Sequence, residues 1–97
     1  MDLSEQEISD RQARIPRGPV FRRSHADYRR AAFWWELEAL RGHKSADDSR
    51  RYARNMRWAA ELTTVYGPGT WLELSARRKA AGDETPMHHP ALHEVAL

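Results

Sequence analysis

The 97-residue sequence contains no cysteine, and this absence removes a whole group of structures and activities. Disulfide frameworks, thiol nucleophiles and cysteine-bound zinc sites are excluded. A cysteine-free chain fits a reducing compartment, and we expect a cytoplasmic location. The first residues include Asp2, Glu5 and Glu7 without an apolar stretch, so no secretory signal is predicted there.

Long hydrophobic runs are also missing. The longest apolar stretch, residues 31–35, falls far short of the roughly 20 residues that a transmembrane helix requires. The mean hydropathy is −0.85, and 31% of the residues are charged. We therefore expect a soluble protein with no membrane partner.

Lysine is scarce, since Lys44 and Lys79 are the only two, and nearly all the positive charge comes from arginine. The net charge is +2, but the charges are segregated. Residues 1–10 contain four acidic and no basic side chains, whereas residues 11–30 contain seven arginines and one aspartate. Such blocks indicate either electrostatic contact surfaces or a chain that neutralises itself internally, and both interpretations stay open.

Four segments are predicted to be helices: residues 4–14, 24–41, 45–66 and 70–81. Capping boxes are predicted at the start of three of them, formed by Ser4 with Glu7, Ser24 with Asp27, and Thr70 with Glu73. Glycines follow the helices, and Gly42 stands where a left-handed residue is expected. The fold class is therefore all-α, an αα-hairpin of residues 24–41 and 45–66 with a short helix over 70–81.

Three regions are expected along the chain. Residues 1–23 form a short N-terminal helix and an arm that contains arginine and proline. Residues 24–82 form the helical core, and residues 83–97 form an irregular tail that contains histidine. The prolines and glycine in residues 15–20 predict an extended connector within the arm.

Three consecutive aromatic residues, Phe33, Trp34 and Trp35, interrupt the polar pattern of the second helix. Successive helical residues turn by about 100°, so these side chains spread over roughly 200° of the helix surface. Both long helices carry two apolar stripes, which is more than a lone hairpin buries. Either the arms and the fourth helix cover the second stripes, or a partner does. The predicted partner-binding residues are Phe33, Trp34, Leu37 and Trp58, and Trp34 is expected to contact something outside the hairpin.

Two groups of arginines predict contacts with phosphate. The first lies between residues 14 and 30, interleaved with aromatic side chains, and the second recurs along one face of the third helix. Guanidinium groups bind phosphate in a bidentate manner, although the same groups could pair with acidic residues of this chain or of a partner. The predicted nucleic-acid-binding residues are Arg14, Arg17, Arg22, Arg23, Arg29, Arg30, Arg50, Arg54 and Arg57.

Other kinds of site are disfavoured. The last three histidines, His88, His89 and His93, are interrupted by Pro90, so no metal site is predicted. No phosphate-binding glycine loop is present, and no cofactor or small-molecule substrate is expected. A helix-turn-helix is disfavoured because Trp71 and Leu72 stand where base-contacting polar residues are needed. We expect no enzymatic activity.

The sequence favours a small non-enzymatic binding protein. The first hypothesis is a nucleic-acid-associated regulator or accessory factor of bacterial or phage type. The alternative is a protein–protein adaptor or inhibitor that docks a partner through exposed aromatic helix faces, and in either case the protein could act as a homodimer.

Overall fold

All four expected helices are present in the computed structural model, which describes residues 2–43 and 45–84. They are α1 (Glu5–Ala13), α2 (His25–Ala39), α3 (Ala46–Tyr66) and α4 (Trp71–Ala80). The described part of the chain contains no strand. The all-α class and the helical hairpin are therefore confirmed.

Local hydrogen bonds explain where these helices begin. The side chains of Ser4 and Ser24 each accept a hydrogen bond from the backbone N–H of the third residue of their helix, and the N–H of each serine donates to that residue's carboxylate. Thr70 accepts from the Glu73 N–H, but its own N–H does not donate to the Glu73 carboxylate, which accepts from Arg23 and Arg77. The box predicted at Thr70 is thus only half formed. Gly42 has a φ of +72°, the left-handed conformation expected after α2.

The hairpin of α2 and α3 contains most of the core. Small side chains let the two helices approach closely, and half-buried aromatic residues cover the edges of their interface. Tyr28, from the start of α2, and Leu74, from α4, are both fully buried in this core. The core residues are Tyr28, Ala31, Ala32, Met56, Ala59, Ala60, Leu62 and Leu74, with Trp35, Trp58, Tyr66 and Trp71 packed against them.

The N-terminal helix α1 packs against α2. Arg41, after the end of α2, donates to Glu5 at 2.7 Å, to Ser9 at 2.7 Å and to Gln12 at 2.9 Å. Gln12 in turn donates to the backbone oxygen of Trp34 at 3.2 Å. Because Arg41 is largely buried, these bonds fasten α1 to the hairpin in a partly desolvated setting.

Candidate functional site

The structure divides the nine arginines predicted to bind nucleic acid into two groups. Four of them form ion pairs within the chain: Arg23 with Glu73, Arg30 with Asp27, Arg50 with Asp47, and Arg57 with Glu36. The other five, Arg14, Arg17, Arg22, Arg29 and Arg54, form no salt bridge with any carboxylate in residues 2–43 and 45–84. Carboxylates of the same chain therefore neutralise part of the positive charge of these arginines.

The predicted partner-binding residues are also dispersed. Leu37 is only 3% exposed, so other parts of the chain cover it and it does not lie on an open surface. It is buried on α2, the helix against which α1 packs. Trp58 is half-buried and packs against the core, whereas Phe33 remains 48% exposed.

Trp34 does contact a group outside the hairpin, and that group belongs to the same chain. Its ring lies beside Gly18 of the connector, where an added Cβ would stand 3.7 Å from the indole. Its ring centroid is 5.0 Å from that of Trp35 in an edge-on arrangement. Gly18 follows Arg17, and both have positive φ angles of +49° and +63°. This turn brings the connector back onto α2.

An open apolar groove with a volume of about 670 Å³ lies between the connector, α3 and the start of α4. We call it the apolar groove. Val20 and Leu72 line it and are 88% and 80% exposed. Phe21, next to Val20, is also exposed. The groove-lining residues are Val20, Arg22, Tyr28, Tyr52, Asn55, Met56, Thr70, Trp71 and Leu72.

Three contacts hold the two ends of this groove together. The buried Tyr28 hydroxyl donates to the Gly69 carbonyl at 2.8 Å, and the Gly69 N–H donates to the Arg23 carbonyl at 2.8 Å. The Arg23 guanidinium binds both oxygens of Glu73, at 2.9 and 3.2 Å. Since Arg23 follows the connector and Glu73 lies in α4, these bonds fix the groove walls relative to α2.

The turn between α3 and α4 is further fixed by Arg77. Its Nη1 donates to the carbonyl oxygens of Tyr66, Gly67 and Pro68 at 3.1, 3.3 and 2.7 Å. These include carbonyls that the end of a helix leaves without an intrahelical partner. An alanine at position 69 would crowd this turn, because its Cβ would lie 2.9 Å from Arg77 Nη1 and 3.2 Å from Glu73 Cβ unless the guanidinium shifts.

Hydrogen bonds and burial near the groove shift the pKa values of several groups. Hydrogen bonds from Ser24, together with one from the Arg23 backbone, lower the pKa of Asp27 below its ordinary value. Burial raises the pKa of Tyr28, and the positive charge of Arg22 partly offsets this effect. The hydrogen bond from Arg23 lowers the pKa of Glu73. Both carboxylates are therefore held in their charged form at neutral pH.

A second depression, with a volume of about 470 Å³, lies between α2 and α3. We call it the charged cleft. Arg57 and Glu36 form an ion pair across it. Glu61 adds a further negative charge, and Arg29 and Phe33 line the same surface. The mixed signs make this cleft poorly suited to a polyanion.

Sequence reasoning missed the residues that define the apolar groove, namely Val20, Tyr52 and Leu72. Tyr52 lies on α3, where it is 49% exposed and packs on Trp35. The exposure of Leu72 could be predicted from the sequence, because Leu72 follows Trp71 directly and two successive helical residues cannot both face a thin core. The exposure of Val20 could not be predicted in this way, since it depends on the path of the connector.

Other kinds of site are not indicated in the described ranges. Residues 2–43 and 45–84 contain no group of three or more side chains suited to hold a metal ion. His88, His89 and His93 lie outside the described residues. None of the four helices has the length and apolar character needed to cross a membrane. Comparison with protein families, curated proteins and solved structures gave no match to this chain.

Proposed function

We propose that this chain is a small non-enzymatic binding protein whose apolar groove receives a segment of a partner protein. The observation that carries the proposal is the exposure of Val20 and Leu72 on two sides of one groove, together with Tyr52 and Trp71. Neighbouring exposed apolar side chains that line one groove are a feature of protein-interaction sites. Trp71 and Tyr52 are also of the residue types that dominate binding energy at such sites.

The geometry favours this function over the nucleic-acid role that the sequence alone favours. Arg23, Arg30, Arg50 and Arg57 are paired with carboxylates, so their charge is partly neutralised at the surface. Glu61 extends the arginine face of α3 with a negative charge. A phosphate backbone would have to displace these carboxylates or approach them closely.

The test is affinity capture from the native host, compared between matched variants. Leu72→Asp places a charge in the groove, whereas Val65→Asp places the same charge on α3 at a residue that is 71% exposed and lines neither depression. Mass spectrometry should identify a protein retained by the wild type and by Val65→Asp but lost with Leu72→Asp. Equal capture by both variants would contradict a groove-mediated function.

A nucleic-acid-associated role is the second candidate, because five arginines form no salt bridge in the described ranges. If all five contact phosphates, the logarithm of the affinity for duplex DNA should fall against that of salt concentration with a slope of about −4.5. The measurement is a salt titration of binding to generic duplex DNA. Absence of micromolar binding at low salt would remove this candidate.

The proposal retains the cytoplasmic location and the bacterial or phage accessory type expected from the sequence. The absence of cysteine supports the first of these. A homodimer would be the special case in which the occupant of the groove is a second copy of the chain. Sedimentation of the wild type and Leu72→Asp identifies that case, since only a groove-mediated dimer dissociates in the variant.

A further inference from the structure

Arg22 differs from its neighbour Arg23 in forming no salt bridge with a carboxylate in residues 2–43 and 45–84. Arg23 and Glu73 form a two-bond ion pair, with N–O distances of 2.9 and 3.2 Å. Arg22 instead extends across Met56, with its Nη1 3.4 Å from the Met56 sulfur. A thioether is a weak acceptor, and among the described residues it is the hydrogen-bond partner of this guanidinium. The guanidinium is therefore available to an anion that enters the groove.

The charge of Arg22 is also uncompensated within the groove itself. Arg22 is the one charged side chain among the described residues that line the groove, and none of them is acidic. In the charged cleft, by contrast, Arg57 is paired with Glu36 and Glu61 lies nearby. The apolar groove thus combines apolar walls with a single positive charge.

We propose, resting on the function proposed above, that the occupant is an acidic segment of a partner protein. One Asp or Glu side chain of the segment binds Arg22, and its neighbouring apolar side chains contact Tyr52, Trp71 and Leu72. A carboxylate matches the guanidinium fork in a bidentate manner, and its attraction strengthens when surrounding apolar groups exclude water. Charge complementarity and apolar contact therefore select the same ligand.

A nucleic-acid strand matches the groove less well. Binding of a strand requires a series of positive charges along its backbone and aromatic platforms for successive bases. The groove offers one arginine, and the most exposed hydrophobic residues lining it, Val20 and Leu72, are aliphatic. Aliphatic side chains do not stack on bases as aromatic rings do, but they do pack against the apolar side chains of a peptide.

The experiment is selection of a random displayed-peptide library on three forms of the full chain. The wild type should select peptides in which Asp or Glu adjoins aromatic or aliphatic residues. Arg22→Glu should select Lys or Arg at the same position, because the charge in the groove is reversed. Arg29→Glu, the matched control in the charged cleft, should select the same acidic peptides as the wild type.

A synthetic copy of the selected acidic peptide then gives the size of the effect. We expect Arg22→Glu to weaken its binding by about tenfold or more, and Arg29→Glu to change it by less than about twofold. Replacing the acidic residue of the peptide by its amide should abolish the difference between the wild type and Arg22→Glu. Circular dichroism of each variant verifies that its helices are retained.

Four outcomes would overturn the proposal, and they separate it from the function on which it rests. Peptides that are lost with Leu72→Asp but show no acidic enrichment refute the acidic occupant and leave the protein-binding groove intact. A library that yields no groove-dependent peptide refutes both. If the wild type binds oligothymidylate and both Arg22→Glu and Tyr52→Ala lose this binding, the occupant of the groove is nucleic acid. If the wild type is a dimer that Leu72→Asp dissociates, the occupant is a second copy of the chain.

Discussion

Tyr28→Phe tests the hydrogen bond that places the start of α4 beside α2. The substitution keeps the ring in the core, where Tyr28 is only 1% exposed, and removes the hydroxyl that donates to the Gly69 carbonyl at 2.8 Å. Gly69 is itself buried, so its carbonyl is left without this donor in a place that water reaches poorly. The groove residues Trp71 and Leu72 follow directly on this turn.

The expected loss follows from the burial of both partners. Leaving a buried carbonyl without its donor costs about 1–3 kcal/mol, and the retained ring keeps the apolar contacts. We therefore expect Tyr28→Phe to lower the free energy of unfolding by about 1–2 kcal/mol. For a domain of this size, each kcal/mol lowers Tm by roughly 4–8 °C.

Urea unfolding followed by tryptophan fluorescence measures this loss. Tyr52→Phe is the matched control, because Tyr52 is 49% exposed and its stability change should stay within about 0.5 kcal/mol. A Tyr28→Phe protein as stable as the Tyr52→Phe protein would refute the reasoning. It would mean that the turn between α3 and α4 is held without the tyrosine hydroxyl.

Three further predictions concern the groups that hold the helices together. Asp27→Asn should lower the free energy of unfolding by about 1 kcal/mol at neutral pH. Because folding lowers the pKa of Asp27, this stability difference from wild type should be complete above the ordinary pKa of about 3.9 and should vanish as pH falls through the folded pKa. Urea unfolding of both proteins at a series of pH values measures the difference. Arg41→Met should release α1, seen as amide exchange in residues 5–13 at least about tenfold faster than in wild type, and unchanged protection would contradict the account. Gly69→Ala should lower stability by about 0.5–1 kcal/mol in thermal unfolding, because its Cβ displaces the Arg77 guanidinium from the carbonyls of the turn. A variant as stable as wild type would contradict this.

Local chemistry made the helices predictable from the sequence. A capping serine and the residue three positions later interact through bonds that depend on neither the rest of the chain nor its packing. Ser4 and Ser24 accordingly form the expected boxes. Thr70 does not complete its box because Glu73 binds Arg23, which lies 50 residues earlier in the chain. Only tertiary structure reveals that competition.

The candidate site was less predictable for a related reason. Whether an arginine is paired depends on which carboxylate the fold brings to it, as with Arg57 and Glu36 across the hairpin. Likewise, Leu37 and Leu72 are the same residue type on similar helices, yet one is buried on α2 and the other is exposed beside the connector. Periodicity identifies the apolar stripes, but the paths of α1 and the connector determine which stripe stays open.

The central claim is that the apolar groove binds a partner protein. Its most direct test is the dissociation constant of the captured and purified partner, measured for Leu72→Asp and for Val65→Asp. The account predicts that Leu72→Asp binds at least about tenfold more weakly than Val65→Asp, a difference of about 1.4 kcal/mol. Dissociation constants that agree within about twofold for the two variants would contradict it.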